Sequence, residues 1–173
     1  MHRTQAKAEY NFGVALDLIA ELEAVVDAYE REGVAYAICG GLALALHGHE
    51  RATMDIDLLV PGDQLGAAER VARTLGFDIP ARKMTFGLKT GRPREVQRLS
   101  KLDPDTNELM TLDLLVVASD LEQVWADRID VVAGARRMVV VSRSGLVAMK
   151  RIAGRPQDLV DIATLEGTTD EDE

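Results

Sequence analysis

The sequence holds a single cysteine, Cys39, so no internal disulfide is available to it. That cysteine lies in the apolar run Tyr36-Ala37-Ile38-Cys39, where a buried structural thiol is expected. Aromatic residues make up only 4% of the chain and Trp125 stands alone. That is too little for a base-stacking platform on single-stranded nucleic acid. No apolar run approaches the ~20 residues of a membrane span. The opening Met1-His2-Arg3-Thr4-Gln5-Ala6-Lys7 lacks the apolar segment of a signal peptide. A cytoplasmic protein without a membrane partner is expected. Histidine is scarce too. His47 and His49 have no third ligand at metal spacing nearby, so packing or hydrogen bonding is their expected role.

What is present suits one domain. The chain has 173 residues, and 47% hydrophobic content is enough for a sizeable core. Residues 1–167 are expected to form that domain, with Thr168 to Glu173 as an acidic, disordered tail. The net charge of −9 argues against a general nucleic-acid coat protein. Yet Arg82 to Lys101 carries seven basic residues against one acid, and Arg136 to Arg155 six against none. Such segments in an acidic protein read either as local phosphate contacts or as solvated basic residues.

Hydrophobic period places the elements. Val14 to Arg31 reads as an amphipathic helix stopped by Gly33. Ala35 to Cys39 reads as a buried strand, Leu42 to Leu46 as a short helix, and Asp55 to Val60 as a second strand ended by Pro61-Gly62. Gln64 to Leu75 is helical. Met84 to Lys89 and Arg94 to Leu102 are expected to pair, and Asp103 to Asn107 to turn. Met110 to Val117 is a strongly apolar strand and Leu121 to Ala126 a short helix. A hairpin about Gly134 joins Ile129–Val132 to Arg137–Val141. Helices over Ser144–Ile152 and Pro156–Leu165 finish an α/β or α+β fold, a sheet with helices largely covering one face.

Asp55 and Asp57, two residues apart in a strand, share one face, while Ile56, Leu58 and Val60 take the core face. Two like charges side by side are costly without a partner, and a divalent cation is the obvious one. Asp113 is the charge inside an otherwise apolar strand. If its strand lies beside Asp55–Val60, three carboxylates surround one cavity. Mg²⁺ favours carboxylates, waters and substrate phosphates together. Two such ions would activate an attacking hydroxyl and stabilise a leaving pyrophosphate. Alone, a D-x-D pair is common in surface strands. Gly40-Gly41 at the mouth of a helix adds to it, because backbone N–H groups there bind anions and glycine leaves the approach clear.

Gly40-Gly41, then thirteen residues, then Asp55-x-Asp57 and a distant strand aspartate resemble the DNA polymerase β-like nucleotidyltransferase superfamily. The fuller string Gly40 to Gly48, with Arg51-x-Thr53-x-Asp55-Ile56-Asp57-Leu58, resembles more narrowly the AbiEii-type and minimal nucleotidyltransferases, which include toxins of toxin–antitoxin systems. Lys150-x4-Arg155-x2-Asp158-x2-Asp161 resembles the later motif of that group. Leu42 stands where many relatives carry serine.

The resemblance implies a nucleotidyltransferase-like mixed sheet with flanking helices. It also implies transfer of a nucleoside monophosphate from an NTP such as ATP, with two Mg²⁺ ions and release of pyrophosphate. Asp55, Asp57 and Asp113 would be catalytic and would ligate the metal. Gly40, Gly41, Arg51, Thr53, Lys150 and Asp158 would bind the nucleotide. The acceptor would be a tRNA or other RNA, a protein or a small molecule, and a cognate antitoxin is an implied partner. A non-catalytic nucleotide-binding or interaction module on the same fold is the alternative. Residue by residue there are plainer readings. Arg51 suits a loop ion pair, Thr53 a strand-start hydroxyl, Lys150 a solvated helix lysine, and Asp158 an acid favoured in the first turn after Pro156.

Overall fold

The computed structural model describes residues 15–81, 84–86, 94–103 and 107–167. The first helix, α1 (Ala15–Glu32), buries Leu18, Leu22, Val25, Val26 and Tyr29 along one stripe. Its end is closed by a hydrogen bond from the Val34 N–H to the Tyr29 carbonyl, 2.8 Å. The chain then runs through β1 (Ala37–Cys39), α2 (Gly40–Leu46), β2 (Asp55–Val60), a 3-10 turn at Gly62–Gln64, and α3 (Leu65–Thr74). Next come β3 (Ile79–Pro80), β4 (Met84–Phe86), β5 (Arg94–Leu102) and β6 (Leu109–Val116). A second 3-10 turn at Ser119–Leu121 leads into α4 (Glu122–Ala126). The hairpin β7 (Ile129–Ala133) and β8 (Arg136–Val140) precedes α5 (Arg143–Ala153) and α6 (Pro156–Gly167).

The strands form one mixed sheet in the order β3-β5-β6-β2-β1-β8-β7, with β4 also pairing β5. β2 lies between antiparallel β1 and parallel β6. The expected adjacency of Asp55–Val60 and the apolar Asp113 strand is therefore realised. Ile56, Leu58, Leu112 and Leu114 are fully buried, as side-chain alternation requires of the core face. α1 packs on α3 and β2, and α5 packs against α2, α4 and α6. Leu146, Met149 and Lys150 of α5 share a cavity with Asp57. Helices thus meet the carboxylate face as well as the face of Ile56 and Leu58. One apolar core extends from Leu18 to Leu165.

Most elements fall where the sequence places them. The strand β3, with a proline in its two residues, carried no strand signal in the sequence. The helix α2 starts at Gly40, two residues earlier than expected, because the glycine pair itself forms its first turn. The expected strand from Met84 is realised as far as Phe86 and pairs with β5; positions 87–89, the middle of the turn at 104–106 and the acidic tail lie outside the described residues. Among the described residues no helix is long and apolar enough to cross a membrane.

Candidate active site

One wall of a cavity of about 270 Å³ is built by β2 and β6. In the parallel register Asp57 stands opposite Asp113 and Asp55 opposite Thr111. The carboxylates of Asp55, Asp57 and Asp113 all line this cavity. Asp57 packs directly on the start of α2. A Cβ added at Gly40 would lie 2.1 Å from Oδ2 of Asp57, and the backbone there has φ +66°, so both space and conformation demand glycine. Gly41 is tight for another reason: its added Cβ would meet the Thr53 side chain at 2.8 Å. The room beside Gly41 therefore belongs to Thr53. A larger residue there would disturb that packing before it met any ligand.

Charge is distributed unevenly along this wall. Burial pushes the Asp57 carboxyl up to about 7, with help from the charges of Asp113 and Asp55. Burial also raises Asp55, against the pull of Arg98. Asp113 has a cation of its own. Arg98 of β5, its partner across the antiparallel pair, donates from Nε to Oδ1 at 2.7 Å and from Nη2 to Oδ2 at 2.6 Å. Hydrogen bonding to Asp113 raises the Arg98 guanidinium further.

Opposite this wall stands a second group. Lys150 is buried, with Nζ 2.7 Å from Asp161 Oδ2 and 3.7 Å from Asp158 Oδ1. Asp161 also receives Arg51 from the loop before β2 and Gln157 at 3.3 Å. Burial works to raise the Asp161 carboxyl. The hydrogen bonds of Lys150 and Gln157, with the charges of Lys150 and Arg51, outweigh it and hold the group low. Asp158 is wholly buried and accepts from the Arg155 N–H (3.0 Å), Nε (2.7 Å) and Nη2 (3.1 Å). Lys150 is thus no solvated helix lysine, and Asp158 does more than meet a helix dipole. Arg51 makes the loop ion pair of its plainer reading. Thr53 reaches the Asp55 carbonyl only at 3.5 Å.

The sequence reading did not single out Arg98 or Arg94, which alternate with Val96 on the cavity side of β5. Nothing in β5 marks them until its pairing with β6 is known. Arg94 pairs with Asp120 and Lys101 with Glu21. In the second basic segment Arg136 meets Asp27, Arg137 meets Asp130 and Arg151 meets Glu166. These residues are matched by acids and make no free phosphate-binding stripe. Arg82, Lys83, Lys89 and Arg92 lie outside the described residues. Cys39 is buried as expected, which pushes its thiol up. His47 Nε2 sits 2.8 Å from the Val141 carbonyl, and His49 Nε2 3.2 Å from Arg143.

Among the described residues no group of three or more histidine, cysteine, aspartate or glutamate side chains is gathered around a common metal position. The donor chemistry nonetheless fits a hard divalent cation. Asp55 and Asp57 are raised carboxylates without an ion pair among the described residues, and they stand beside Asp113.

The mixed sheet and its flanking helices define the fold of the nucleotidyltransferases. Among solved structures, the antibiotic-resistance factor ANT(2″)-Ia in complex with adenylyl-2″-tobramycin matches at 17% identity. The match covers 86% of this chain and 87% of that one, with a TM-score of 0.60. The lincosamide antibiotic adenylyltransferase LnuA, lincomycin-bound, matches at 16% identity over 87% and 97%, TM-score 0.57. A candidate nucleotidyltransferase from Thermotoga maritima matches at 13% identity over 92% and 98%, TM-score 0.59. No family model matches the chain, and no curated protein matches it.

Proposed function

We propose that this chain is a Mg²⁺-dependent nucleotidyltransferase that moves a nucleoside monophosphate from an NTP to a hydroxyl acceptor. The observation that carries the reading is the register that sets Asp57 beside Asp113, with Asp55 on the same cavity wall, in a nucleotidyltransferase fold. In the reaction the acceptor oxygen bonds to the α-phosphorus. The bond from that phosphorus to the bridging oxygen breaks, and pyrophosphate leaves with the electron pair. The hydroxyl proton passes to a carboxylate of the cluster or to water.

Asp55, Asp57 and Asp113 would hold Mg²⁺, which when bound neutralises phosphate charge and lowers the pKa of the attacking hydroxyl. Gly40 and Gly41 would turn backbone N–H groups toward the triphosphate. Arg51 and Arg155, at the cavity and partly open to solvent, would face its charge. Lys150 and Asp158 would act from behind, by fixing Arg51 and Arg155 through the buried ion pairs. Thr53 would set the strand start against Gly41.

The resemblance to AbiEii-type enzymes supports a toxin–antitoxin component that modifies tRNA or another RNA, works in the cytoplasm and has an antitoxin partner. The antibiotic-modifying enzymes of the same fold support a small-molecule acceptor. Among the described residues Arg94, Lys101, Arg136, Arg137 and Arg151 are held by acids, which weighs toward the latter. The Arg98 fork on Asp113 is the observation that favours the non-catalytic alternative, a binding module whose third carboxylate is already neutralised. Incubation with each labelled NTP, Mg²⁺ and, in separate arms, total tRNA, cell protein and a hydroxyl-rich small-molecule pool tests the reading. Label should move to one arm with pyrophosphate release. No label and no pyrophosphate with any of the four NTPs would sink it.

A further inference from the structure

We propose that Arg98 is a resident counter-ion of the carboxylate site: it holds Asp113 in the metal-free protein and yields it when a divalent cation binds. This rests on the transferase reading for the metal, and on the geometry of β5 and β6 for the arginine. The antiparallel register places Arg98 directly opposite Asp113. Its fork takes both carboxylate oxygens, at 2.7 and 2.6 Å. A fork of this kind fills the lone pairs that face the cavity. A divalent ion on the same oxygens would then lie against the guanidinium, like charge beside like charge. The two cations compete for one carboxylate.

The surroundings decide which partner gives way. The Asp113 side chain is 8% exposed and short, while that of Arg98 is 29% exposed and sits at the cavity. The arginine has a long flexible stem and open space beside it; the aspartate has neither. Asp55 and Asp57 have no such cation among the described residues. They are the seat for the first metal ion, and Asp113 joins them when Arg98 swings aside. Without the cation the three carboxylates share a wall, and Arg98 occupies both oxygens of one of them. The exchange leaves the freed guanidinium in the cavity, which Arg94 and Val96 of the same strand also line.

The test uses the full-length protein, Mn²⁺ and calorimetric titration, without nucleotide. Arg98→Met keeps the stem and removes the charge; Arg98→Lys keeps the charge and loses the fork. Competition predicts that Arg98→Met binds Mn²⁺ about tenfold more tightly than wild type, the scale of one lost hydrogen bond to a charged group at a part-exposed site. Arg98→Lys should fall between them. The metal-free melting temperature of Arg98→Met should drop, and Mn²⁺ should raise it more than it raises that of wild type. Asp57→Asn is the control that loses Mn²⁺ binding. Weaker Mn²⁺ binding by Arg98→Met would mean that the arginine stays on Asp113 as a fixed prop, which overturns the proposal. Unchanged affinity in both arginine variants, with Asp57→Asn still impaired, overturns it alone. No Mn²⁺ binding by any of the proteins overturns it together with the transferase reading.

Discussion

Asp57 is buried, packed on Gly40 and flanked by two other carboxylates, and these surroundings carry a sign that can be worked through. Its carboxyl is pushed up to about 7 in the folded protein, against ~3.9 in an unfolded chain. A raised carboxyl stabilises the fold below its unfolded pKa, and that contribution is lost as pH rises through 7. The metal-free protein should therefore be more stable at pH 5 than at pH 8, by ~2–4 kcal/mol from this group. Asp161, held low, loses its own contribution only at more acid pH, below about 4. Asp57→Asn should flatten the slope between pH 5 and 8 and match or exceed wild-type stability at pH 8 in EDTA. Its pyrophosphate release should fall ~100-fold or more, about 2.7 kcal/mol of transition-state stabilisation. Urea titrations across that pH range and a pyrophosphate assay check both halves; a variant less stable than wild type at pH 8 would contradict the account. Asp55 and Asp57 were legible from their spacing, and Asp113 as a charge in an apolar run. Arg98 was not, because its meaning depends on a partner fifteen residues away on the next strand. Lys150, Asp158 and Asp161 were seen, but sequence alone does not tell a solvated helix charge from a buried one.

At the scale of elements, α6 is held to the site by ion pairs as well as by the buried Ile162 and Leu165. Asp161 gathers Lys150 from α5 and Arg51 from the loop before β2. Removing its charge leaves Lys150 buried with Asp158 at 3.7 Å as its remaining acid. Asp161→Asn should cost ~3–5 kcal/mol, the range for breaking a buried pair from one side. The double variant Asp161→Asn with Lys150→Met should recover part of that loss, since no buried charge is then stranded. Urea denaturation of the two single variants and the double variant gives the coupling; additive losses would show that the pair carries none. Long elements were readable because their period repeats: α1 ends within a residue or so of its expected bounds and β2 matches them. Short ones were readable where glycines or an apolar run mark them, as at β1, α2 and α4; β3 was not, since two residues establish no period.

For the whole molecule, side-chain alternation told which face each strand residue takes but not which strand is its neighbour. The order β3-β5-β6-β2-β1-β8-β7 became known only from the structure, and with it the meeting of Asp57 and Asp113. That parallel pairing has a consequence in time. β2 and β6 are joined by everything from Pro61 to Glu108, including α3 and the strands β3 to β5. Non-local parallel pairs form slowly, because the long closure must precede the contacts that reward it. The mutual repulsion of the carboxylates is then met at the closing step rather than during earlier helix formation. Refolding from urea in EDTA, followed by stopped-flow circular dichroism, should have a slow phase that quickens between pH 8 and pH 6 or on adding Mg²⁺, while the early helical phase is indifferent to both. In Asp57→Asn the slow phase should lose its sensitivity to pH. A slow phase equally indifferent in the wild type would place the meeting of these strands after the barrier. The site would then be the last part of the molecule to come into being, made only when the two halves of the sheet join at β2 and β6.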